Sequence, residues 1–381
     1  MWVSLPLCGP GRLCYSAAFR NKKEVDEKRG YHMDLSLNMM RLREVPACME
    51  LNGCKGKIGY QVFSSGVVCG LIRRHARQLG IPGGCELPKA LSEKLAAPQE
   101  AVRKEAEQLA DELGRRLALV FYNAKEVYPN RQGLPDRERE SAECFRLCRR
   151  LILGGGLAAG PLGERITASA NRALKEAGAE LLLVRHPYPQ YMPLLGCAMR
   201  CPEGNSLVFD FGQTYVKSAV ARISPARACT LRVREKRPSQ FVRRDYAFSA
   251  QKRREAKKLD RLIQEHIVGA VEQMRGRGLE LSGAVVISLA AKFEGTDLLP
   301  YGAYGKLEAV YPQYLSGLQA RITQETGCAC RLAAISDETA ASLAVGEQDA
   351  LVVTLGTAFG LQKAGLAEAE AFSGIQVVRS E

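Results

Sequence analysis

The middle of the chain exchanges short apolar runs for amphipathic stripes in a regular order. Leu207–Phe211, Tyr215–Ile223 and Cys229–Arg234 are strand-length runs rich in β-branched and aromatic residues. From Ala256 to Arg275, Leu259, Leu262, Ile263, Ile267, Ala270, Val271 and Met274 share one face at helical spacing. Gly283–Leu289 reads as a strand, Tyr314–Thr326 as a helix and Arg331–Ile335 as a strand. Asp337–Val345 reads as a helix that Ser336 or Asp337 would cap. The order is β-β-β-α-β-α-β-α.

That order is one complete ribonuclease H-like, actin-like unit. A second unit starts at the apolar run Ala350–Leu355, with Leu361–Ala364 as its returning strand and Ile375–Val378 as a further candidate. The remaining parts lie at the front of the chain. Met39–Val45 is strand-like, Gly66–Leu79 and Ala101–Tyr122 are helical, and Arg150–Leu153 is a strand. A helix at Leu162–Ala177, a strand at Glu180–Val184 and a helix near Met192–Arg200 follow. Joining the end to the beginning completes a second copy. The expected fold is therefore α/β, with two actin-like (ribonuclease H-like) domains flanking a cleft, circularly permuted. Residues 1–33 form an extension matching neither unit, with Met33 an alternative start. Residues 34–203 form the larger part of one lobe, 204–348 the complete other lobe, and 349–381 the start of the first. Cuts of this kind are tolerated where termini lie close together on exposed loops.

At 381 residues, two domains are the default, and 46% apolar with 25% charged residues is ordinary globular composition. No apolar run reaches membrane-spanning length. The start, Met1 to Leu13, carries Pro6, Gly9, Pro10 and Gly11 and lacks the form of a signal peptide. Thirteen cysteines, an odd number, read as reduced thiols, which places the chain in the cytoplasm. The net charge of +13 is partly local to Arg232–Lys258. With no helix-turn-helix or zinc-finger pattern beside it, that stretch reads as a solvated strand edge and helix face, not a specific nucleic-acid site.

The chemistry sits at the turns. In Asp210-Phe-Gly-Gln-Thr-Tyr-Val-Lys217, a strand ends on a carboxylate, turns at Gly212, Gln213 and Thr214, and returns with Lys217. Gly212 would let backbone N–H groups reach phosphate oxygens, Asp210 would hold Mg²⁺ through water, and Thr214 and Lys217 would meet the phosphates. A plain β-hairpin would look similar. Leu355-Gly-Thr-Ala-Phe-Gly360 repeats the design with Gly356, Thr357 and Gly360. Gly154-Gly155-Gly156 at the mouth of a strand would let adenosine lie against bare backbone. Asp337, between a strand and a helix, is placed to take a proton from a hydroxyl; a helix cap is its plainer role. His75 and His266 read as solvated on charged helix faces. No histidine or cysteine spacing suggests a metal centre.

Together these motifs resemble the ROK group of sugar kinases and repressors. Val208–Lys217 looks like its first phosphate motif, and Leu355–Gly360 like its second. Ile335-Ser-Asp-Glu-Thr-Ala-Ala is similar to its Asn-Asp-Ala-Asn-Ala-Ala signature, with Asp337 at the catalytic-base position. Leu151–Gly156 and Leu194–Ala198 resemble its adenosine motif and closing helix. The family's Glu-x-Gly-His motif has no counterpart near Ser36–Arg41, and its zinc loop is reduced to Cys48 and Cys54, so no zinc site is expected. The resemblance implies an ATP- and Mg²⁺-dependent kinase acting on a sugar hydroxyl, with a homodimer left open. The eroded sugar half leaves a second reading, a non-catalytic sensor that keeps the fold.

Overall fold

The computed structural model describes residues 36–51, 53–234, 236–242, 249–311, 313–347, 350–364 and 371–379. The expected 1–33 extension, with Met33, lies outside the described residues. The helices α1 (Gly59–Val62), α2 (Ser65–His75), α3 (Leu87–Lys94), α4 (Glu100–Tyr122) and α5 (Asp136–Leu147) precede the first strand. Then come β1 (Arg150–Gly154), α6 (Gly160–Glu176), β2 (Leu182–Arg185) and α7 (Met192–Ala198). The strands β3 (Gly204–Phe211), β4 (Tyr215–Ile223), β5 (Ala228–Val233) and β6 (Arg237–Pro238) lead into α8 (Ser249–Gly276). They are followed by β7 (Ala284–Leu289), β8 (Ala291–Glu294), β9 (Asp297–Gly302), α9 (Tyr314–Thr326), β10 (Arg331–Ser336) and α10 (Asp337–Leu343). The last strands are β11 (Leu351–Leu355), β12 (Phe359–Lys363) and β13 (Gly374–Arg379).

This is an α/β protein with two main sheets. The larger runs β10-β7-β3-β4-β5-β13, with β6 on the end of β4. Within it β4 is antiparallel to both β3 and β5, while β7 and β10 run parallel to β3 and to each other. The smaller sheet runs β12-β11-β1-β2, with β12 antiparallel and the rest parallel. Strands from opposite ends of the sequence thus pair in register, Leu151 with Leu351 through Gly154 with Thr354.

Each sheet is covered by helices whose apolar stripes were legible in the sequence. Leu259, Ile263 and Ile267 of α8 are fully buried against Leu207, Phe209, Val285 and Ile287 of the larger sheet. Each such side chain contributes roughly 1.5–3 kcal/mol by leaving water. Leu109, Leu113 and Leu117 of α4 pack with Ile166 and Leu174 of α6 over Leu151, Leu153 and Val353. Between the sheets lie α7 and α10. The former packs on β3, β4 and β7, and the latter on β11 and β12 as well as β7 and β10. They cross so closely that a Cβ on Gly196 would lie 1.7 Å from the Ala340 carbonyl oxygen. No helix among the described residues is long and apolar enough to cross a membrane.

Two expectations are corrected here. Met39–Val45 is not a third strand of the smaller sheet; the backbone turns at residues 37–39 and makes a single bridge between Arg41 and Ile58. The Asn38 side chain substitutes for a strand. Its amide nitrogen donates to the Phe359 carbonyl at 2.8 Å, and its oxygen accepts from the Phe359 N–H at 2.8 Å. The second correction concerns Ile375–Val378. It is a strand, but β13 pairs parallel with β5 of the larger sheet, so 349–381 does not belong wholly to the lobe expected for it. Its alternate residues Ile375 and Val377 join Leu231 and Val233 in one apolar cluster.

Candidate functional site

The β3–β4 hairpin brings Asp210 and Lys217 into direct register. Asp210 is buried, and Lys217 Nζ donates to its Oδ2 at 2.6 Å. The turn between them is braced from outside the hairpin. The Gly212 carbonyl accepts from Ser239 Oγ at 2.7 Å and from the Tyr304 hydroxyl at 2.9 Å, while its own N–H donates to the Tyr215 carbonyl at 3.2 Å. Tyr304 is fully buried; burial above all holds its phenol well above the usual range. Gln213 is half-buried in the turn and Thr214 is exposed at its tip.

The β11–β12 hairpin faces it from the smaller sheet. Thr357 Oγ1 lies 2.9 Å from Thr214 Oγ1, so the two turns are joined by a hydrogen bond. The Gly356 carbonyl accepts from the Ser65 N–H at the start of α2. Gly360 is dictated by crowding, since a Cβ there would meet Thr354 Oγ1 at 2.4 Å and Glu338 Cγ at 3.4 Å.

Asp337 opens α10, and Ser336 is the cap. Ser336 Oγ accepts from the Thr339 N–H at 3.1 Å, which leaves the neighbouring carboxyl uncommitted to capping. Asp337 Oδ1 accepts from the Glu338 N–H at 3.1 Å. The side chain is half-buried. Its pKa is pushed up to about 7, first by desolvation and then by the Glu338 and Asp210 carboxylates, against the opposing pull of Lys292. A group poised near neutrality is suited to taking and returning a proton. Lys292, from β8, forms a close ion pair with Glu338.

The three glycines after β1 divide in role. Gly155 has φ of +87° and lies so near β11 that a Cβ would sit 2.3 Å from the Leu355 carbonyl oxygen; its N–H donates to the Pro189 carbonyl at 2.7 Å. A Cβ on Gly154 would strike Met192 Sδ at 2.4 Å. Both are therefore explained by packing of the loop against β11 and α7. Gly156 alone is exposed with open space at its Cβ position.

The structure thus gathers Asp210, Gly212, Gln213, Thr214, Lys217, Gly356, Thr357 and Asp337 around the facing hairpins. Sequence reasoning passed over four contributors: Ser239, Lys292, Tyr304 and Glu338. Alternation after β7 placed Lys292 in a run that could have been read as a hairpin, and Glu338 was visible only as the neighbour of Asp337. The hydroxyls of Thr214 and Thr357 and the ammonium of Lys217 are donors that fit a phosphate chain. Lys217 engages Oδ2 of Asp210, and among the described residues no group of three or more His, Cys, Asp or Glu could hold a metal ion by itself. A magnesium ion that arrives with a nucleotide needs only one or two carboxylates beside the phosphates and water. The histidine reading needs correction at both positions: His75 is half-buried and paired with Glu105 at 2.5 Å, and His266 is half-buried, edge-on to Phe211 at 6.2 Å, where burial, then Arg237 and Arg234, lowers its pKa.

No protein-family model matches the chain, and no curated protein matches it. Among solved structures, that of ethanolamine utilization protein EutJ from Carboxydothermus hydrogenoformans aligns at 13% identity with a TM-score of 0.26. The match covers 49% of this chain and 61% of that one, so this chain spans less than two thirds of that chain's length.

Proposed function

We propose that the facing hairpins bind the phosphates of a nucleoside triphosphate and that Asp337 serves as general base for phosphoryl transfer to a sugar-like hydroxyl. The larger sheet's order supports an actin-like unit, with three antiparallel strands and two parallel strands on their flank. The smaller sheet supports a second unit that lacks its third strand. Its front strands come from late in the sequence, as a circular permutation requires.

One observation carries the catalytic reading: a carboxyl with no capping duty and a pKa near 7 stands at the junction of the two hairpins. Lys217, Thr214 and Thr357 would hold the phosphates, with Gly356 giving backbone access. Gly156 would face the nucleoside, while Gly154 and Gly155 shape the loop behind it. ATP is the nucleotide the resemblance favours. Magnesium would arrive with the nucleotide, and Asp210 would hold it through water.

A second reading, nucleotide sensing without turnover, is favoured by the 2.9 Å bond between Thr214 and Thr357 and by the closed Asp210–Lys217 pair. Both contacts take up groups that a turning-over kinase would present to substrate. ADP release measured across a sugar panel, with wild type and Asp337→Ala side by side, tests the proposal. Sugar-stimulated release that vanishes in Asp337→Ala supports the kinase. Nucleotide binding with no stimulated release by any sugar overturns it in favour of the sensor.

A further inference from the structure

A cavity lies away from the hairpins, between the C-terminal half of α8 and the strands β4, β5 and β13. It measures about 520 Å³, within the range of small-molecule sites. Three arginines border it: Arg232 and Arg234 from β5 and the residue after it, and Arg277 from the residue after α8. Arg379 also lines it, but its register partner is Val233, so its side chain leaves the opposite face of the sheet. The Arg234 guanidinium donates to the neutral amide oxygen of Gln273. No described carboxylate forms an ion pair with any of these arginines. Arg234 is half-buried, and its environment works against its charge, first by desolvation and then by Arg237 and Arg277. The floor is apolar, formed by Val220, Ala270, Met274 and Leu279.

Three guanidiniums beside one cavity repel one another unless an anion joins them. A folded chain that wanted only solubility would leave these charges spread over convex surface, where water screens them. Here they share a concave wall with an apolar floor, which separates this site from the open ridge a nucleic-acid backbone would need. The charge also bears on the ligand. Two phosphate groups carry roughly −3 to −4 at neutral pH, close to what three arginines balance, and their oxygens match the guanidinium fork.

We infer that this cavity binds a small organic anion carrying two phosphate groups, held by Arg232, Arg234 and Arg277, with its uncharged portion on the apolar floor. The site is separate from the proposed nucleotide cleft and does not rest on that reading. The strand that completes it, β13, is the one that joins the larger sheet contrary to its expected place, so this cavity exists because of that pairing.

Inorganic pyrophosphate is the minimal probe, titrated calorimetrically into the full-length protein carrying Lys217→Ala, which removes the cation of the nucleotide cleft. The expected result is saturable binding at one site. Arg232→Ala and Arg277→Ala, both at exposed positions, should each weaken it by about 10-fold or more, and the pair should abolish it. Arg277→Lys, which keeps charge but loses the fork, should weaken it less than Arg277→Ala. Circular dichroism of each variant confirms that the fold persists. The inference is overturned if pyrophosphate gives no saturable binding, or if the doubly substituted protein binds it as tightly as its parent. It is also overturned if a DNA duplex displaces pyrophosphate at physiological salt, the outcome expected of a nucleic-acid surface.

Discussion

Thr214 and Thr357, 143 residues apart in sequence, share a hydrogen bond of 2.9 Å that joins the turn of one sheet to the turn of the other. It is the most direct polar contact between the two candidate phosphate turns. A phosphate passing between them must part these hydroxyls and then take their place as partner. Thr214→Val should therefore unlock both turns together. Backbone amides at residues 212–215 and at 356–359 are expected to exchange with deuterium roughly 2- to 5-fold faster, the modest size reflecting an exposed bond. Exchange that changes on one turn only would show that the bond does not couple them.

Asp337 links activity to pH. If it is the general base, turnover should rise with pH along a limb whose midpoint lies near 7, the value to which its surroundings push it. Asp337→Asn should remove that limb along with turnover while leaving nucleotide binding within a few-fold of wild type. A wild-type profile flat from pH 5 to 9 would exclude the assignment (both ends of that range lying about two pH units from the midpoint).

The same carboxyl shapes stability in the opposite direction. Its folded-state pKa of about 7 exceeds the ordinary 3.8, so between those values the native protein binds more protons than the unfolded chain. Stability from this group is present at low pH and falls as pH rises through about 7. Each tenfold gain in proton affinity on folding corresponds to about 1.4 kcal/mol, and partial access of water reduces the total. Asp337→Asn should accordingly unfold at higher urea than wild type at pH 8, and the difference should shrink toward pH 4. Equal denaturation midpoints at both pH values would contradict this.

Gly155 and Gly156 make a paired test of the loop after β1. Gly155→Ala imposes a Cβ 2.3 Å from the Leu355 carbonyl at φ of +87°, so a loss of roughly 2–4 kcal/mol is expected in urea unfolding. Gly156→Ala meets open space and should lie within about 0.5 kcal/mol of wild type. Should nucleotide affinity nevertheless fall in Gly156→Ala, the adenosine reading gains direct support.

Asn38 offers a test of the missing strand. Its amide makes two hydrogen bonds to Phe359, both 2.8 Å, in place of a neighbouring β-ladder. Asn38→Ala should destabilise the protein by about 1–3 kcal/mol, with faster amide exchange concentrated in β12. Loss of stability without a change at β12 would mean the side chain acts elsewhere.

Much of this architecture was legible in the sequence because burial imposes periodicity. The stripe from Leu259 to Met274 and the runs around Phe209 and Val353 each had a face to hide, so their spacing announced them. Met39–Val45 misled because Met40 and Leu42 alternate as a strand would, yet both are buried in a segment that follows the Asn38 turn and makes only the Arg41–Ile58 bridge. A side-chain amide that mimics a backbone leaves no periodic trace. For β13, the pattern revealed a strand but could not reveal its neighbour, since parallel pairing across the 146 residues from Ala228 to Gly374 is decided by tertiary packing. The site shows the same division. Asp210, Thr214, Lys217 and Asp337 stood out by motif, whereas Lys292 and Tyr304 enter only because β8, and the turn after β9, fold back beside the hairpin.

The placement of β13 also changes what the larger sheet shows to other chains. Without it, β5 would be the rim, and the amides and carbonyls along Ala228–Val233 would offer a template for a foreign strand. With it, the rim carries exposed Gln376 and Arg379, and its first residue is Gly374. Truncation before residue 374 would therefore be expected to produce a stickier protein as well as a weaker one, with self-association appearing in light scattering before unfolding begins.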